Sequence, residues 1–200
     1  MNSPGEQARP PAPRVGRIAF LLLVAALLGG FAFAYREHIT EYRLYFFSER
    51  QPIVFKYSEL SEDWTEKTLH ERFKGFAVRC FHEAGNSLGD RVCGLDAKSH
   101  NGVPVLFLSF FFSSGQLSHV SINIPWWSHA QGRRAIEAAL GPPVAAQIFP
   151  RAGVRLLGWR LPEGAALFYN RDRDMNPLVW NAIFWNSAAS CKSGRCFTGE

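Results

Sequence analysis

Hydrophobic positions are most concentrated near the N-terminus, where residues 18–35 form an unbroken run without a charged side chain. As an α-helix this run extends about 27 Å, which is close to the thickness of the hydrocarbon core of a bilayer. It carries no polar stripe, so a helix packed into a soluble core is not favoured. The pattern predicts one transmembrane anchor, preceded by a disordered cytoplasmic leader over residues 1–17.

A cleaved signal peptide is the alternative interpretation of the same run, because Ala32, Phe33 and Ala34 have the small-x-small form of a cleavage site. However, residues 36–51 continue beyond the run as a helix-compatible segment that mixes charged with aromatic residues. Such a segment is typical of a juxtamembrane helix, since arginine and aromatic side chains settle at membrane surfaces. We therefore predict an uncleaved anchor followed by a juxtamembrane helix.

Residues 52–200 alternate short apolar runs with turn signals, which is typical of one folded domain. The first element of this domain is predicted to be a helix over residues 61–75. Ser61 is its expected N-cap, with acidic residues in the first turn and basic residues in the last. Its buried face is expected to carry Trp64, Leu69 and Phe73.

A β-hairpin is predicted in the middle of the chain. Two apolar runs, residues 102–112 and 116–124, flank a Ser-Ser-Gly turn at residues 113–115. The glycine supplies the positive φ that a three-residue turn needs. This turn would place Leu108 opposite Val120 on a fully apolar face, whereas the other face of the hairpin is only half apolar.

The helix with the clearest start and stop signals begins after Ser128, which matches a capping box with Gln131, and stops at Gly141. Further strands are predicted over residues 153–161, 165–169 and 178–185. The complete pattern predicts an α+β fold: a twisted, mainly antiparallel sheet with two packed helices, preceded by a single N-terminal transmembrane helix.

The four cysteines indicate how the domain is stabilised. Residues 76–83 and 90–97 are predicted to be two strands around a short turn. This hairpin places residue 80 directly opposite residue 93, close enough for a bridge. The other two cysteines close a small loop near the C-terminus. The predicted disulfides are Cys80–Cys93 and Cys191–Cys196.

The predicted disulfides also decide the expected orientation, because basic residues flank the apolar run equally on both sides. Disulfides form and persist outside the cytoplasm. The sequence therefore predicts a single-pass protein of a bacterial-type inner membrane. Its amino terminus would be cytoplasmic and its carboxy-terminal domain periplasmic or extracellular.

A zinc site is the alternative use of the cysteines. Such a site would draw its ligands from Cys80, His82, Cys93, Cys191 and Cys196. Structural zinc sites bring their ligands in close pairs about two to four residues apart, and only the last two cysteines approach that spacing. We therefore predict no metal and no other cofactor.

Charge excludes one class of partner. The chain holds 22 Lys and Arg residues against 17 Asp and Glu residues, a net charge of +5. Its basic residues are dispersed, with no basic run longer than Arg133–Arg134. A nucleic-acid partner is therefore not predicted. The expected partners are the membrane, through one span, and another envelope protein.

One short motif could carry catalysis. Residues 85–89, Gly-Asn-Ser-Leu-Gly, fit the nucleophile elbow of serine hydrolases, with Ser87 as the nucleophile. Asp96 and His119 follow in the chain order that a triad requires, and His129 is an alternative base. However, the elbow joins a strand to a helix, whereas residues 90–97 are predicted to be a returning strand.

A second short motif resembles a calcium loop, since Asn170, Asp172 and Asp174 recur at every second position. Met175 stands where the sharp-turn glycine belongs, and Asn181 stands where the bidentate glutamate would be. The intervening arginines neutralise the local charge. A polar loop with Arg–Asp pairs is therefore favoured over a calcium site.

Trp126 and Trp127 follow a proline at a strand-to-helix junction. If the strand continued to residue 127, alternation would direct the two rings to opposite faces, so one ring would lie outside the core. An exposed tryptophan is a favoured binding anchor. The sequence therefore favours a non-catalytic binding or assembly module for another envelope component, with a small envelope serine hydrolase as the alternative.

Overall fold

The computed structural model describes residues 14–149, 154–194, 196 and 197. The chain divides into two compact units, Met1–Ile39 and Thr40–Glu200. Its helices are α1 (Arg14–Ala34), α2 (Arg36–Phe47), α3 (Glu66–Arg72), α4 (His129–Leu140) and α5 (Ala188–Gly194).

The first unit contains the apolar helix α1. The stretch Gly16–Ala34 has 19 residues and a mean hydropathy of 2.2, so it is long and apolar enough to cross a membrane. None of that stretch is buried, which excludes a core helix. The helix could serve as a membrane anchor, and its place near the N-terminus also fits a signal sequence.

The second unit is built on a large antiparallel sheet. Its strands are β2 (Arg79–His82), β3 (Arg91–Asp96), β6 (Phe107–Ser113), β7 (Gln116–Ile124), β8 (Ala145–Phe149), β9 (Val154–Arg160), β10 (Ala166–Asn170) and β11 (Asn181–Asn186). Among the described residues these eight strands have the order β2-β3-β6-β7-β11-β10-β9-β8, and every pair of neighbours is antiparallel.

A smaller sheet completes the second unit. Its strands are β1 (Pro52–Ile53), β4 (Ser99–His100) and β5 (Val103–Pro104), with β1 parallel to β4. The predicted α+β class with a mostly antiparallel sheet is confirmed. The predicted juxtamembrane helix corresponds to α2 and the two predicted domain helices to α3 and α4, whereas α5 was not predicted.

The core lies where helices cover the alternating apolar side chains of the sheet. Leu69 of α3 and Ile136 of α4 are fully buried, and they belong to the same cluster as Leu108, Phe110 and Ile122 of the central strands. Trp64, Leu69 and Phe73, the predicted buried face of the first domain helix, are all buried.

The turn of the central hairpin differs from the prediction. The loop has two residues, Ser114 with φ 52° and Gly115 with φ 80°. Two consecutive positive φ angles favour the strand twist of a tight hairpin. The shorter loop and a bulge between Phe111 and Phe112 each shift the register by one residue, so Leu108 faces Ile122 rather than Val120. The bulge keeps the apolar residues of both strands on the core face.

The predicted N-cap of the first domain helix is also wrong. Helix α3 begins after Thr65, whose Oγ1 accepts a hydrogen bond from the backbone N–H of Thr68 at 3.3 Å. Ser61 instead accepts from the backbone N–H of Asp63 at 3.2 Å and shapes the preceding turn. Since Trp64 between them is buried, core packing selects the later start.

The capping box at α4 does not form. A 3₁₀ turn over Trp126–Ser128 leads directly into the helix. The Oγ of Ser128 is buried and makes no hydrogen bond with any residue that the structure describes. The side chain of Gln131 turns away and donates to the carbonyl oxygen of Gly102 at 3.1 Å. The predicted end of the helix, before Gly141, is confirmed.

Candidate binding surface

The tryptophan pair lies just beyond the central strand β7, which ends at Ile124. Pro125 fixes the backbone where the chain leaves the sheet, and a single 3₁₀ turn over Trp126–Ser128 follows. The strand therefore does not reach residue 127, and strand alternation does not set the directions of the two rings. Trp126 is partly buried and Trp127 is 45% exposed. Neither ring belongs to the central core.

The ring of Trp127 packs on helix α2. Its centroid lies 5.3 Å from that of Tyr42, 6.1 Å from that of Tyr45 and 5.5 Å from that of Phe46. The contact with Phe46 is a stacked arrangement at 25°. These three residues have the i, i+3, i+4 spacing of one helix face. Helix α2 therefore packs on the domain through this face.

Tyr42 and Tyr45 form a rigid support beneath Trp127, since both are buried. The Oη of Tyr42 accepts a hydrogen bond from the backbone N–H of Trp126 at 3.2 Å. The ammonium group of Lys98 lies 4.3 Å from the centre of the Tyr45 ring. Burial raises the pKa of both phenols.

The end of α2 leaves aromatic surface exposed beside Trp127. Phe46 is 59% exposed and Phe47 is 85% exposed. We call Phe46, Phe47 and Trp127 the aromatic patch. Exposed apolar side chains that are grouped rather than scattered typically mark an interaction site. The predicted juxtamembrane helix thus contributes Phe46 and Phe47 to this patch. Trp127 comes from a segment some 80 residues further along the chain.

An arginine holds the connection after α2 against the sheet. The side chain of Arg50 is almost fully buried and donates from Nη1 to the carbonyl oxygen of Leu106. Its Nη2 lies 4.0 Å from carboxylate oxygens of both Glu41 and Asp96. Burial and, to a smaller extent, the nearby negative charge of Asp96 raise the pKa of Glu41. This cluster fixes where α2 presents its aromatic residues.

Trp126 has a different role from its neighbour. Its indole Nε1 donates to the carbonyl oxygen of Asp174 at 2.6 Å. The guanidinium of Arg173 lies 3.8 Å from the centre of the Trp126 ring. Both contacts come from the loop between β10 and β11. Trp126 therefore holds that loop, and Trp127 is the ring available to a partner.

The structure does not bring the proposed triad together. Ser87 is exposed in the turn between β2 and β3, and no described histidine is hydrogen-bonded to it. The Nδ1 of His119 pairs with the carbonyl oxygen of Leu88 at 2.9 Å. Asp96 pairs with Phe107 across the sheet and His119 with Phe111. These two residues are thus offset by four positions along the strands, about 13 Å, and strand β6 lies between them.

The two glycines of the same motif have conformational explanations. Gly85 has φ 82°, a conformation that favours glycine in a tight turn. A Cβ on Gly89 would lie 2.5 Å from the backbone oxygen of Phe112 in β6. The spacing of glycines that resembles a nucleophile elbow therefore arises from a turn and a close approach of two backbones.

We expect Gly89→Ala to lower the free energy of unfolding by about 1–3 kcal/mol, because the new methyl group must displace backbone rather than a flexible side chain. Ser87→Ala in the same turn is the matched control, and we expect a change within about 0.5 kcal/mol. Urea denaturation of the two variants measures both values. A neutral Gly89→Ala variant would contradict the close approach.

The residues of the calcium-like loop are engaged within the protein. The Oδ1 of Asn170 accepts from the backbone N–H of Ala182 at 3.2 Å. Asp172 pairs with Arg171 at 3.0 Å, and this contact lowers the pKa of Asp172. Asp174 accepts through Oδ1 from the backbone N–H of Asn176 at 2.7 Å. The three oxygens thus act locally, in agreement with a polar loop.

The cysteines lie in the two predicted pairs. The Sγ atoms of Cys80 and Cys93 are 2.00 Å apart, and those of Cys191 and Cys196 are 2.18 Å apart. These pairs fit an oxidising compartment. Within the described part of the chain, the one group with metal-ligand spacing is Glu66 with Cys80 and Cys93, whose sulfurs are already bonded to each other.

Comparison of the chain with protein-family models, with curated proteins and with solved structures found no match.

Proposed function

We propose that this chain is a single-pass protein of a bacterial-type inner membrane whose exported domain is a non-catalytic binding or assembly module. Its amino terminus is cytoplasmic, α1 is the uncleaved anchor, and the domain that follows α1 lies in the periplasm or outside the cell. The domain binds another envelope protein through the aromatic patch. The observation that carries the proposal is the half-exposed ring of Trp127, stacked on the exposed ring of Phe46.

The patch has the physical properties of a binding anchor. Tryptophan contributes more binding energy at interfaces than most residues because it buries a large area with few rotatable bonds. The buried pair Tyr42 and Tyr45 already orders Trp127 from below. Little side-chain entropy is therefore lost when a partner covers it, and preorganisation of this kind raises affinity.

The location follows from two supporting features. Helix α1 is apolar and long enough to span a bilayer, and the disulfides fit an oxidising compartment. A domain with both features is held close to the outer surface of the membrane. Tethering of this kind raises the effective concentration of the domain near other membrane proteins.

A binding function is better supported than a hydrolase because the acidic residue and the histidines that a triad would need already have other partners within the protein. Asp96 is paired with Arg79 at 3.2 Å. His100, His119 and His129 each pair with a backbone carbonyl oxygen. Among the described residues, Ser87 has none of these histidines as a hydrogen-bond partner. The aromatic patch is thus better supported as the functional surface.

Photo-crosslinking in intact membranes tests the proposal. We expect a benzoylphenylalanine at position 127 to capture one defined envelope protein, whereas the same probe at position 126 captures none, because that side chain faces the protein's own loop. With the captured protein purified, Trp127→Ala is expected to weaken binding about thirtyfold, which corresponds to about 2 kcal/mol. The Tm should change little.

Several results would contradict the proposal. Crosslinks to lipid alone would show that the patch rests on the bilayer, and equal capture from both positions would remove the specificity. An unfolded Trp127→Ala variant would make the ring a core residue. Mass spectrometry of the same membranes checks the anchor, since a mature chain that begins at Tyr35 would show a cleaved signal peptide instead.

A further inference from the structure

Four side chains that can bind a metal ion meet where helix α3 packs on strands β2 and β3. Cys80 and Cys93 face each other across the two strands, and Glu66 and His70 lie on the helix. One ligand atom from each of Glu66, Cys80 and Cys93 lies within 4.8 Å of the other two. The Nε2 of His70 is 3.7 Å from the Sγ of Cys80 and 3.9 Å from the Oε1 of Glu66. Two sulfurs, one imidazole nitrogen and one carboxylate oxygen are ligands that zinc accepts in tetrahedral sites.

The helix sets the spacing of the Glu66 and His70 side chains. They are four residues apart, so both lie on one face of α3. The Thr65 cap fixes where the helix begins, and the fully buried Leu69 anchors the helix in the core. Both ligands are therefore supplied by an element that is already held against the hairpin of β2 and β3.

Arg91 holds the Glu66 carboxylate beside the sulfurs. Its Nε and Nη2 donate to the two carboxylate oxygens at 2.8 and 3.0 Å. A carboxylate oxygen has more than one lone pair, so this contact leaves room for a metal bond, and carboxylates that bind metals are usually hydrogen-bonded as well. The charges also balance. A divalent cation and the Arg91 guanidinium together neutralise two thiolates and one carboxylate.

The redox state of the cysteines decides whether this donor set is available. Cys80 and Cys93 are bonded to each other in the structure, and a bonded pair has no thiolate to offer. However, the chain is synthesised with thiols, and disulfides form only in an oxidising compartment. The dithiol form therefore precedes the disulfide in every molecule. In that form the same strand register would place both sulfurs beside Glu66 and His70.

We infer that, before the disulfide forms, the two cysteines of this hairpin bind one zinc ion together with Glu66 and His70. Each thiol releases its proton to solvent, and the two thiolates, the imidazole Nε2 and one carboxylate oxygen bond the metal. Disulfide formation then transfers two electrons from the thiolates to a protein disulfide, which takes up two protons and becomes a dithiol, and the zinc ion leaves. The bound zinc holds β2 in register with β3 until the covalent bond replaces it.

Metal titration of the reduced full-length protein in detergent tests this assignment. The protein carries Cys191→Ala and Cys196→Ala, so the thiols that are left are those at positions 80 and 93. Co²⁺ is the probe, because its thiolate complexes absorb in the near ultraviolet and its tetrahedral complexes absorb strongly in the visible region. We expect both signals in the reduced protein, their loss when Zn²⁺ is added, and neither signal in the oxidised protein. Absence of the signals from the reduced protein would overturn the proposal, whether or not that protein stays folded, as would equal signals in the oxidised protein.

Single variants identify the other two ligands. His70→Ala and Glu66→Gln should each weaken zinc binding by the reduced protein more than about tenfold, because each removes a metal bond. His82→Ala is the matched control, since His82 is an exposed histidine two residues from Cys80 on the same strand, and this change should leave the zinc affinity unaltered. Zinc should also raise the Tm of the reduced protein, since it binds the folded state. Unchanged affinity in either ligand variant, or loss of affinity in the His82→Ala protein, would refute the four-ligand site independently of any result at Trp127.

Discussion

Removing the Cys80–Cys93 disulfide is expected to lower the free energy of unfolding by about 3 kcal/mol. The two cysteines are 13 residues apart in the sequence, and in the chain-entropy model a closed loop of this size restricts the unfolded chain by about that amount. The double variant Cys80→Ala and Cys93→Ala removes the crosslink without a buried hydroxyl. Urea denaturation of the full-length protein in detergent measures the loss.

The second disulfide provides the control for this prediction. Cys191 and Cys196 are 5 residues apart, so the same model gives the smaller value of about 2 kcal/mol for their replacement by alanine. Non-reducing peptide mapping of the native protein verifies both pairs. Free thiols at positions 80 and 93 in protein taken from its native membrane would contradict the pairing and remove a main support for export.

The features that sequence alone predicted are those set by local geometry. Cys80 faces Cys93 because two short strands around a turn leave few registers. The buried face of α3 also follows from spacing along one helix. The class of the fold was predictable in the same way, since short strands with close turns give antiparallel neighbours.

The features that sequence missed depend on contacts between distant segments. Ser114 takes a positive φ that a non-glycine residue does not indicate, so the sequence predicts a three-residue loop instead of the two-residue loop. Strand β8 follows two prolines, and it forms at the sheet edge, where only β9 has to pair with it. The start of α3 depended on the burial of Trp64.

The candidate surface was likewise predictable in its local parts but not in the contacts between distant segments. Trp127 was recognisable as an unusual aromatic, and the spacing of Tyr42, Tyr45 and Phe46 would have indicated one helix face. That this face meets Trp127 could not be read from the sequence, because the packing joins residues about 80 positions apart.

His100 is expected to make the domain sensitive to acid. Burial lowers its pKa to about 4, although its hydrogen bond to the Phe55 carbonyl oxygen acts in the opposite direction. In the unfolded chain the imidazole has its ordinary pKa of about 6.5. Between these values the unfolded state binds a proton that the folded state does not. Acidification through this window should therefore cost the folded state about 3 kcal/mol from His100 alone.

Other titratable groups also change how the free energy of unfolding depends on pH, but they do not affect the test of His100. Burial also lowers the pKa of His119 and His129, which adds to the loss in acid. The raised pKa of Glu41 acts in the opposite sense, because the folded state then binds the extra proton. The contribution of His100 is therefore measured as a difference between two proteins at each pH.

His100→Gln isolates that difference. A glutamine amide can still donate to the Phe55 carbonyl oxygen, which also receives a hydrogen bond from the Asn101 side chain at 2.9 Å, so the variant should fold at neutral pH. Between pH 7 and about 4 its free energy of unfolding should fall by about 3 kcal/mol less than that of the unmodified protein. Urea denaturation at intervals of pH measures both curves. If the two curves run parallel, His100 titrates normally in the folded state and its burial between the rings of Phe55 and Tyr57 does not control acid stability.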